Sequence, residues 1–276
     1  RQCQLLVDRL CSADPIPSKG YSLRRDYLAI VIEHGTVDQF RMLFKKGDLG
    51  EKASAARELC NRGQMEPSVA LPVFAEGLVS DDYGLRMSSS CIFAQWPHAH
   101  QWFLESYASL PQTQRWAIAE AMETFRADLT EFHDELFARI ATEKNAVLGA
   151  KLVGLIANCP SPQSTTVERV MELVGNDSSP MLRVAIVEAL GTWIGRDMDA
   201  VLGERLRAFA GDVSPRVRRA ALQNVAKFRD RSKWNIAFLR DALADEDIDI
   251  CRDVMWQLSC RRELTRDDSF RLLTPD

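Results

Sequence analysis

The sequence predicts an all-α chain built as a solenoid of about eight antiparallel helix pairs, and three observations carry that prediction. One helical phrase recurs from end to end, no stretch shows the apolar/polar alternation of a half-buried strand, and 276 residues that are 46% hydrophobic supply a large core. The phrase is clearest at residues 212–228, DVSPRVRRAALQNVAKF. Asp212 and Ser214 are acceptable N-caps, and Pro215 falls in the first turn, where the N–H it lacks would have no helical acceptor. Val217, Ala221, Leu222, Val225 and Phe228 then recur at helical spacing, while Arg216, Arg219, Gln223 and Lys227 fall on the opposite side.

Anchored on Val217, equivalent positions are Leu23, Glu51, Leu85, Gln114, Leu148, Leu182, Val217 and Ile250, separated by 28, 34, 29, 34, 34, 35 and 33 residues. A period near 34 is that of a helix-pair repeat, each unit too small to bury its apolar face without neighbours. The most similar pair is WAIAEAMETF at 116–125 and VAIVEALGTW at 184–193. One residue after the anchor the chain is basic in six of eight units: Arg24, Lys52, Arg86, Arg115, Arg183 and Arg218. An acid or Asn precedes it by a few positions, as at Asp48, Asp82, Asn145, Asp177, Asp212 and Asp245.

These phrases resemble HEAT repeats, specifically the short bacterial HEAT-like kind of the phycobilin-lyase type, over nearly all of the chain. The resemblance implies a helix pair per unit, with the acidic and arginine positions forming a ladder between successive turns, so that Arg86, Arg115, Arg183 and Arg218 are structural first. It implies little about function, since HEAT arrays serve as scaffolds, transport receptors, lyases and DNA-repair enzymes. No ankyrin TPLH phrase and no tetratricopeptide pattern competes with it.

In order, residues 2–10 form the first outer helix, ended by Asp14-Pro15-Ile16-Pro17. The inner helices are expected near 21–34, 49–62, 82–95, 113–125, 146–158, 181–194, 215–228 and 248–260 of a single domain spanning 1–276. Outer helices fill the intervals, and Pro72 inside the one at 65–79 removes a backbone donor from its interior. The break at Trp96-Pro97 and the turn at Cys159-Pro160-Ser161-Pro162 separate units. Glu51 at an apolar anchor, followed by Ala53, Ala55 and Ala56, marks the second unit as the least well packed.

A net charge of −4 excludes a protein that coats nucleic acid over its whole surface, though not a local basic patch. Seven scattered cysteines fit a reducing, cytoplasmic setting. No apolar run is long enough to cross a bilayer. The chain starts at Arg1, which reads as a piece of a longer protein.

Catalytic chemistry finds little support. His34, His98, His100 and His133 lie in no HExxH phrase and beside no CxxC pair, so no metal or other cofactor is expected. Glu33-His34 is a single acidic-histidine step, where HEAT-repeat di-iron hydroxylases need several. No nucleophile elbow accompanies His133-Asp134, and no catalytic residue is assigned. HEAT-like alkylpurine glycosylases hold a damaged nucleotide with inner-face aromatics and a carboxylate; Trp116, with Glu120 one turn later, and Trp256 could face a groove, whereas Trp193 is in phase with Phe125 and Phe228 at a core position.

The expected function is a non-enzymatic scaffold whose inner helices present a groove to a protein or peptide. Positions two, six and ten residues past the anchor point away from the core, and from the last two rows Arg57, Glu120, Asn158, Glu188, Gln223, Lys227 and Trp256 are the candidate partner-binding residues. The alternative is nucleic-acid binding or repair through residues 214–240, where eight basic residues meet the single acid Asp230. Arg216, Arg219, Arg229, Arg231 and Lys233 are its candidate anion-binding residues. A lyase role would rest on the repeat type alone.

Overall fold

A computed structural model describes residues 2–11, 21–158, 162–174, 179–194, 199–227, 233–261, 263 and 265. Sixteen α-helices and no strand occur among them, so the protein is all-α. The chain divides into two compact units, residues 1–127 and 128–276.

In the first unit α1 (Gln2–Leu10) packs on α2 (Tyr21–His34), and α3 (Val37–Lys46) on α4 (Leu49–Asn61). Next, α5 (Pro67–Leu78) lies against α6 (Tyr83–Gln95), and α7 (Pro97–Ser106) is followed by α8 (Gln112–Thr124), with α5 touching α4, α6, α7 and α8. Val7, Leu10, Val31, Phe40, Leu43 and Leu59 form one core cluster, and Leu71, Phe74, Phe93, Phe103, Ile118 and Met122 are buried beyond it. In the second unit α9 (His133–Thr142) precedes α10 (Ala146–Ala157), α11 (Ser164–Glu172) precedes α12 (Pro180–Thr192), α13 (Asp199–Phe209) precedes α14 (Pro215–Val225), and α15 (Lys233–Asp241) precedes α16 (Ile248–Cys260). Here α10 packs on α12, α12 on α14, and α14 on α16.

Helix starts follow the local chemistry. Thr36 and Asp48 close capping boxes with Gln39 and Glu51, and Asp82, Asn145, Ser179 and Asp247 each accept from a first-turn N–H. Three expectations need correction. Glu51, read as a misfit at an apolar anchor, is 2% exposed because its carboxylate accepts the Asp48 N–H at 2.8 Å, while Asp48 accepts the Glu51 N–H at 2.9 Å. Ser214 occupies the N-cap of α14 without a side-chain cap bond, and Asp212 does not cap the helix but accepts the Ser214 N–H at 2.8 Å. Phe125 is exposed, not in the core with Trp193. After α8 the chain turns through Arg126 at φ 54°, and Ala127 and Leu129 go inside in its place. Trp193 is fully buried, its indole N–H donating to the Ala157 carbonyl at 3.2 Å and so tying the end of α12 to the end of α10. Phe228 lies outside the described residues.

Among the described residues the acid–arginine ladder is seen at two steps. Arg183 donates from Nε and Nη2 to both oxygens of Asp212 at 2.8 and 2.9 Å, and Arg218 does the same to Asp245 at 2.8 and 2.8 Å. The side chains are only 9–12% exposed. Each carboxylate also accepts the N–H two residues on, from Ser214 and Asp247. Arg86 behaves differently, donating to the Ser80 carbonyl at 2.6 Å, and Arg115 lies 5.0 Å over the Tyr107 ring. A bond to the carbonyl six residues back recurs: Arg86 to Ser80, Arg218 to Asp212 at 3.0 Å, and Cys251, the residue in the arginine position of the last pair, to Asp245 at 3.2 Å.

Candidate interaction face

Helical spacing puts residues two, three, six and ten past each anchor on the side away from the core. In the second unit this face is carried by α12, α14 and α16. Two pairs of contacts show that α12 and α14 run in the same direction. Arg183, near the start of α12, is bonded to Asp212, just before α14. Gly191, near the end of α12, lies against Asn224, near the end of α14. The Gly191 backbone is so close that a Cβ there would stand 1.8 Å from the Asn224 amide oxygen.

Between these helices opens a cleft. Pro180, Met181, Val184 and Glu188 line it from α12, and Arg216, Arg219, Ala220 and Gln223 from α14. Glu188, Arg216, Arg219 and Gln223, predicted on separate grounds, are thereby brought around one opening. Met181 and Val184 give the α12 wall an apolar surface, and Ala220 leaves the floor free of bulk. Toward α16 the next crevice, between Arg219, Gln223 and Asp253, is about 10 Å³, room for no more than a single water. It is closed by polar contacts: Arg219 Nε donates to Asp253 Oδ2 at 2.8 Å, and Gln223 Nε2 to the same oxygen at 3.3 Å. Beyond it, Trp256 stands 65% exposed on α16.

The charges on this face are mostly spoken for. Arg218 is held by Asp245 and Glu246, Arg219 by Asp253, and Arg252 by Asp249. Lys227 donates to Asn224 Oδ1 at 2.6 Å. Arg216 and Glu188 are exposed and have no ion-pair partner among the described residues. Arg229 and Arg231 lie outside the described residues, and Lys233 opens α15. Of the basic residues of 214–240, Arg218 and Arg219 are thus neutralised by acids of α16 and the turn before it.

The other predicted residues are distributed differently. Asn158 is half-buried at the C-cap of α10. In the first unit Arg57 is exposed on α4, and Glu120 is half-buried on α8, where Trp116 is 42% exposed. No group of three or more His, Cys, Asp or Glu suited to a metal ion is found among the described residues, and no described helix is long and apolar enough to cross a membrane. His133, half-buried at the start of α9, has its pKa pushed down, first by burial and then by the Arg169 guanidinium.

No protein-family model and no curated protein matches the chain. The face therefore has to be interpreted from its own chemistry. Met181, Val184, Ala220 and Asp253 were missed from the sequence. The signal was present in the phase: they sit one before, two after and three after their anchors, and Asp253 is a charge where the neighbouring helices carry Ala185 and Ala220.

Proposed function

We propose that this chain is a non-enzymatic interaction scaffold, a HEAT-like α-solenoid whose inner-helix face receives a protein or peptide, in a reducing cytoplasmic setting. The observation that carries the reading is the character of the face on α12, α14 and α16. It combines exposed Trp256, an apolar-walled cleft, and the charges of Glu188 and Arg216, which have no ion-pair partner among the described residues, and no convergent set of nucleophile, base and oxyanion donors is found among those residues. Aromatic and arginine side chains standing in solvent on rigid helices are the groups that anchor protein partners. The free thiols of Cys3, Cys11, Cys60, Cys91, Cys251 and Cys260 are in keeping with a reducing compartment.

The test is capture of a binding partner by the intact chain and by a variant carrying Glu188→Lys, Lys227→Glu and Trp256→Ala. All three side chains are exposed, so the variant should melt within a few degrees of the parent. Recovery of the partner should fall at least about tenfold, since truncating a central aromatic anchor alone typically costs more than that. Equal recovery by parent and variant removes this face from the reading.

A further inference from the structure

We infer that the stripe Arg216, Arg219, Gln223 and Lys227 receives carboxylates of an acidic polypeptide, and that Asp253 of α16 occupies the middle of this stripe in the unbound protein as an autoinhibitory contact. The inference rests on the scaffold reading and adds the chemistry of the partner and a device that restrains its binding.

Helical spacing makes the stripe. Steps of three, four and four residues keep to one face, so three cations and an amide donor stand in a row along α14 and just past its end. No acid lies between residues 213 and 229 to interrupt them. Arg216, Arg219 and Gln223 border the cleft toward α12. Arg216 is exposed and has no ion-pair partner among the described residues.

The occupant is indicated by a carboxylate already seated there. Asp253 reaches across from α16, and its Oδ2 accepts from Arg219 Nε at 2.8 Å and from Gln223 Nε2 at 3.3 Å. Two donors from successive turns of α14 thus converge on one carboxylate oxygen, an arrangement that a carboxylate supplied from outside reproduces. The internal one is displaceable. The Arg219 and Asp253 side chains are 38% and 34% exposed, whereas Arg218 and Asp245 are 9% and 10% exposed. An ion pair standing in water to that extent is favoured by a factor of only about two to five. An acidic segment that adds a bond to Arg216 while competing for Arg219 therefore outweighs it. A nucleic-acid strand fits the site less well, since its unbroken row of phosphates would also face Glu188 across the cleft and Asp253 beside it. A polypeptide places its acids only where the cations stand.

The experiment is fluorescence anisotropy of the full chain with end-blocked, Gly/Ser-flanked peptides containing Glu-Glu-Glu-Glu, Gln-Gln-Gln-Gln or Lys-Lys-Lys-Lys, and with a single-stranded DNA oligonucleotide, at roughly 50 mM salt. The glutamate peptide should bind about tenfold or more tightly than the other three probes. Asp253→Ala should tighten it a further two- to fivefold, about the factor by which the internal pair holds. Asp249→Ala, which removes the same charge from α16 but from beside Arg252, should leave the affinity within about twofold. In the Asp253→Ala background, Arg219→Gln should cancel the gain, a reversal that loss of folding does not explain in a variant whose melting temperature is kept. Equal binding of the glutamate and glutamine peptides, preference for the oligonucleotide, or equal effects of Asp253→Ala and Asp249→Ala overturns the inference. If it is overturned while partner capture still depends on Glu188, Lys227 and Trp256, the scaffold reading stands. If capture is insensitive to those residues as well, both fall.

Discussion

Each nitrogen of the Arg218 guanidinium has a partner: Nε and Nη2 on Asp245, Nη2 also on Glu246 at 3.2 Å, and Nη1 on the carbonyls of Asp212 and Val213 at 3.0 and 3.4 Å. Removing the side chain would leave a nearly buried carboxylate and two carbonyls without their donor. Arg218→Ala should therefore destabilise by about 3–5 kcal/mol, and Arg183→Ala, which strips the same bidentate pair from a nearly buried Asp212, by a similar amount. Arg216→Ala, at an exposed residue, should stay within about 0.5 kcal/mol. Urea denaturation measures all three, and equal losses would show that the ladder has no special structural weight. A second residue-scale prediction concerns Gly191. An alanine there must displace the Asn224 side chain, which itself donates to the Ala220 carbonyl at 2.9 Å inside the core. Gly191→Ala should cost about 1–3 kcal/mol. Adding Asn224→Ala, which makes room, should cost less than the sum of the two single changes. Strict additivity would mean that the two residues do not interfere.

At the scale of elements, α4 and α12 contrast. α4 buries Ala53, Ala55, Ala56 and Leu59, small side chains that let α3 and α5 come close, while α12 buries Ile186, Val187 and Leu190 between α10 and α14. Three of the four buried apolar side chains of α4 are alanines, so each residue removes less area from water. Amide hydrogen exchange should run faster in 49–59 than in 184–194 or 217–225, because local opening is easiest where least apolar surface is exposed by it. Equal protection would mean that the capping box around Glu51 and the close alanine contacts compensate fully. The sequence misjudged Glu51 for an identifiable reason: hydropathy scores a buried carboxylate as a defect, whereas the residue works as the reciprocal half of a helix cap.

For the molecule as a whole, acid should act in two windows. Burial raises the carboxyl pKa of Asp212 and of Asp245, but the bonds from Arg183 or Arg218 and from the backbone N–H two residues on outweigh it, and both end below the ordinary aspartate value. Groups shifted this way stabilise the fold fully above the unfolded pKa, and that stabilisation is lost as pH falls through the lower folded value. His133 is shifted down from 6.5, so the unfolded chain takes up its proton first, and stability begins to fall as pH drops below about that value. A pH series of melting temperatures should show a shallow decline starting near pH 6.5 that His133→Gln removes, and a steeper one below about pH 4 that it leaves in place. A profile flat from pH 7 to 5 in the parent protein would contradict the first. Retention on DNA or RNA is a second whole-molecule test. With Arg218 and Arg219 paired to acids and a net charge of −4, no retention is expected at roughly 50 mM salt, where phosphate contacts are strongest. Binding that weakens steeply with salt would revive the basic region at 214–240 as the functional site.

By itself the sequence determined the class and the beat of this protein. Helix type and number follow from a 3.6-residue apolar period and from caps at Asp48, Asp82, Asn145, Ser179 and Asp247, all interactions within a few residues of one another. Helix ends were less legible: α14 stops at Val225, short of 228, because termination depends on what receives the last side chains. What tertiary structure alone decided is which charges are available. Arg216, Arg218 and Arg219 are neighbours in sequence and alike in type, yet Asp245 and Asp253, some thirty residues away, take two of them and leave the third in solvent at the edge of a cleft. Phase predicts which side of a helix a residue occupies, but the partner of a side chain depends on which helices pack together and on the distance between their groups, and a one-dimensional pattern carries neither.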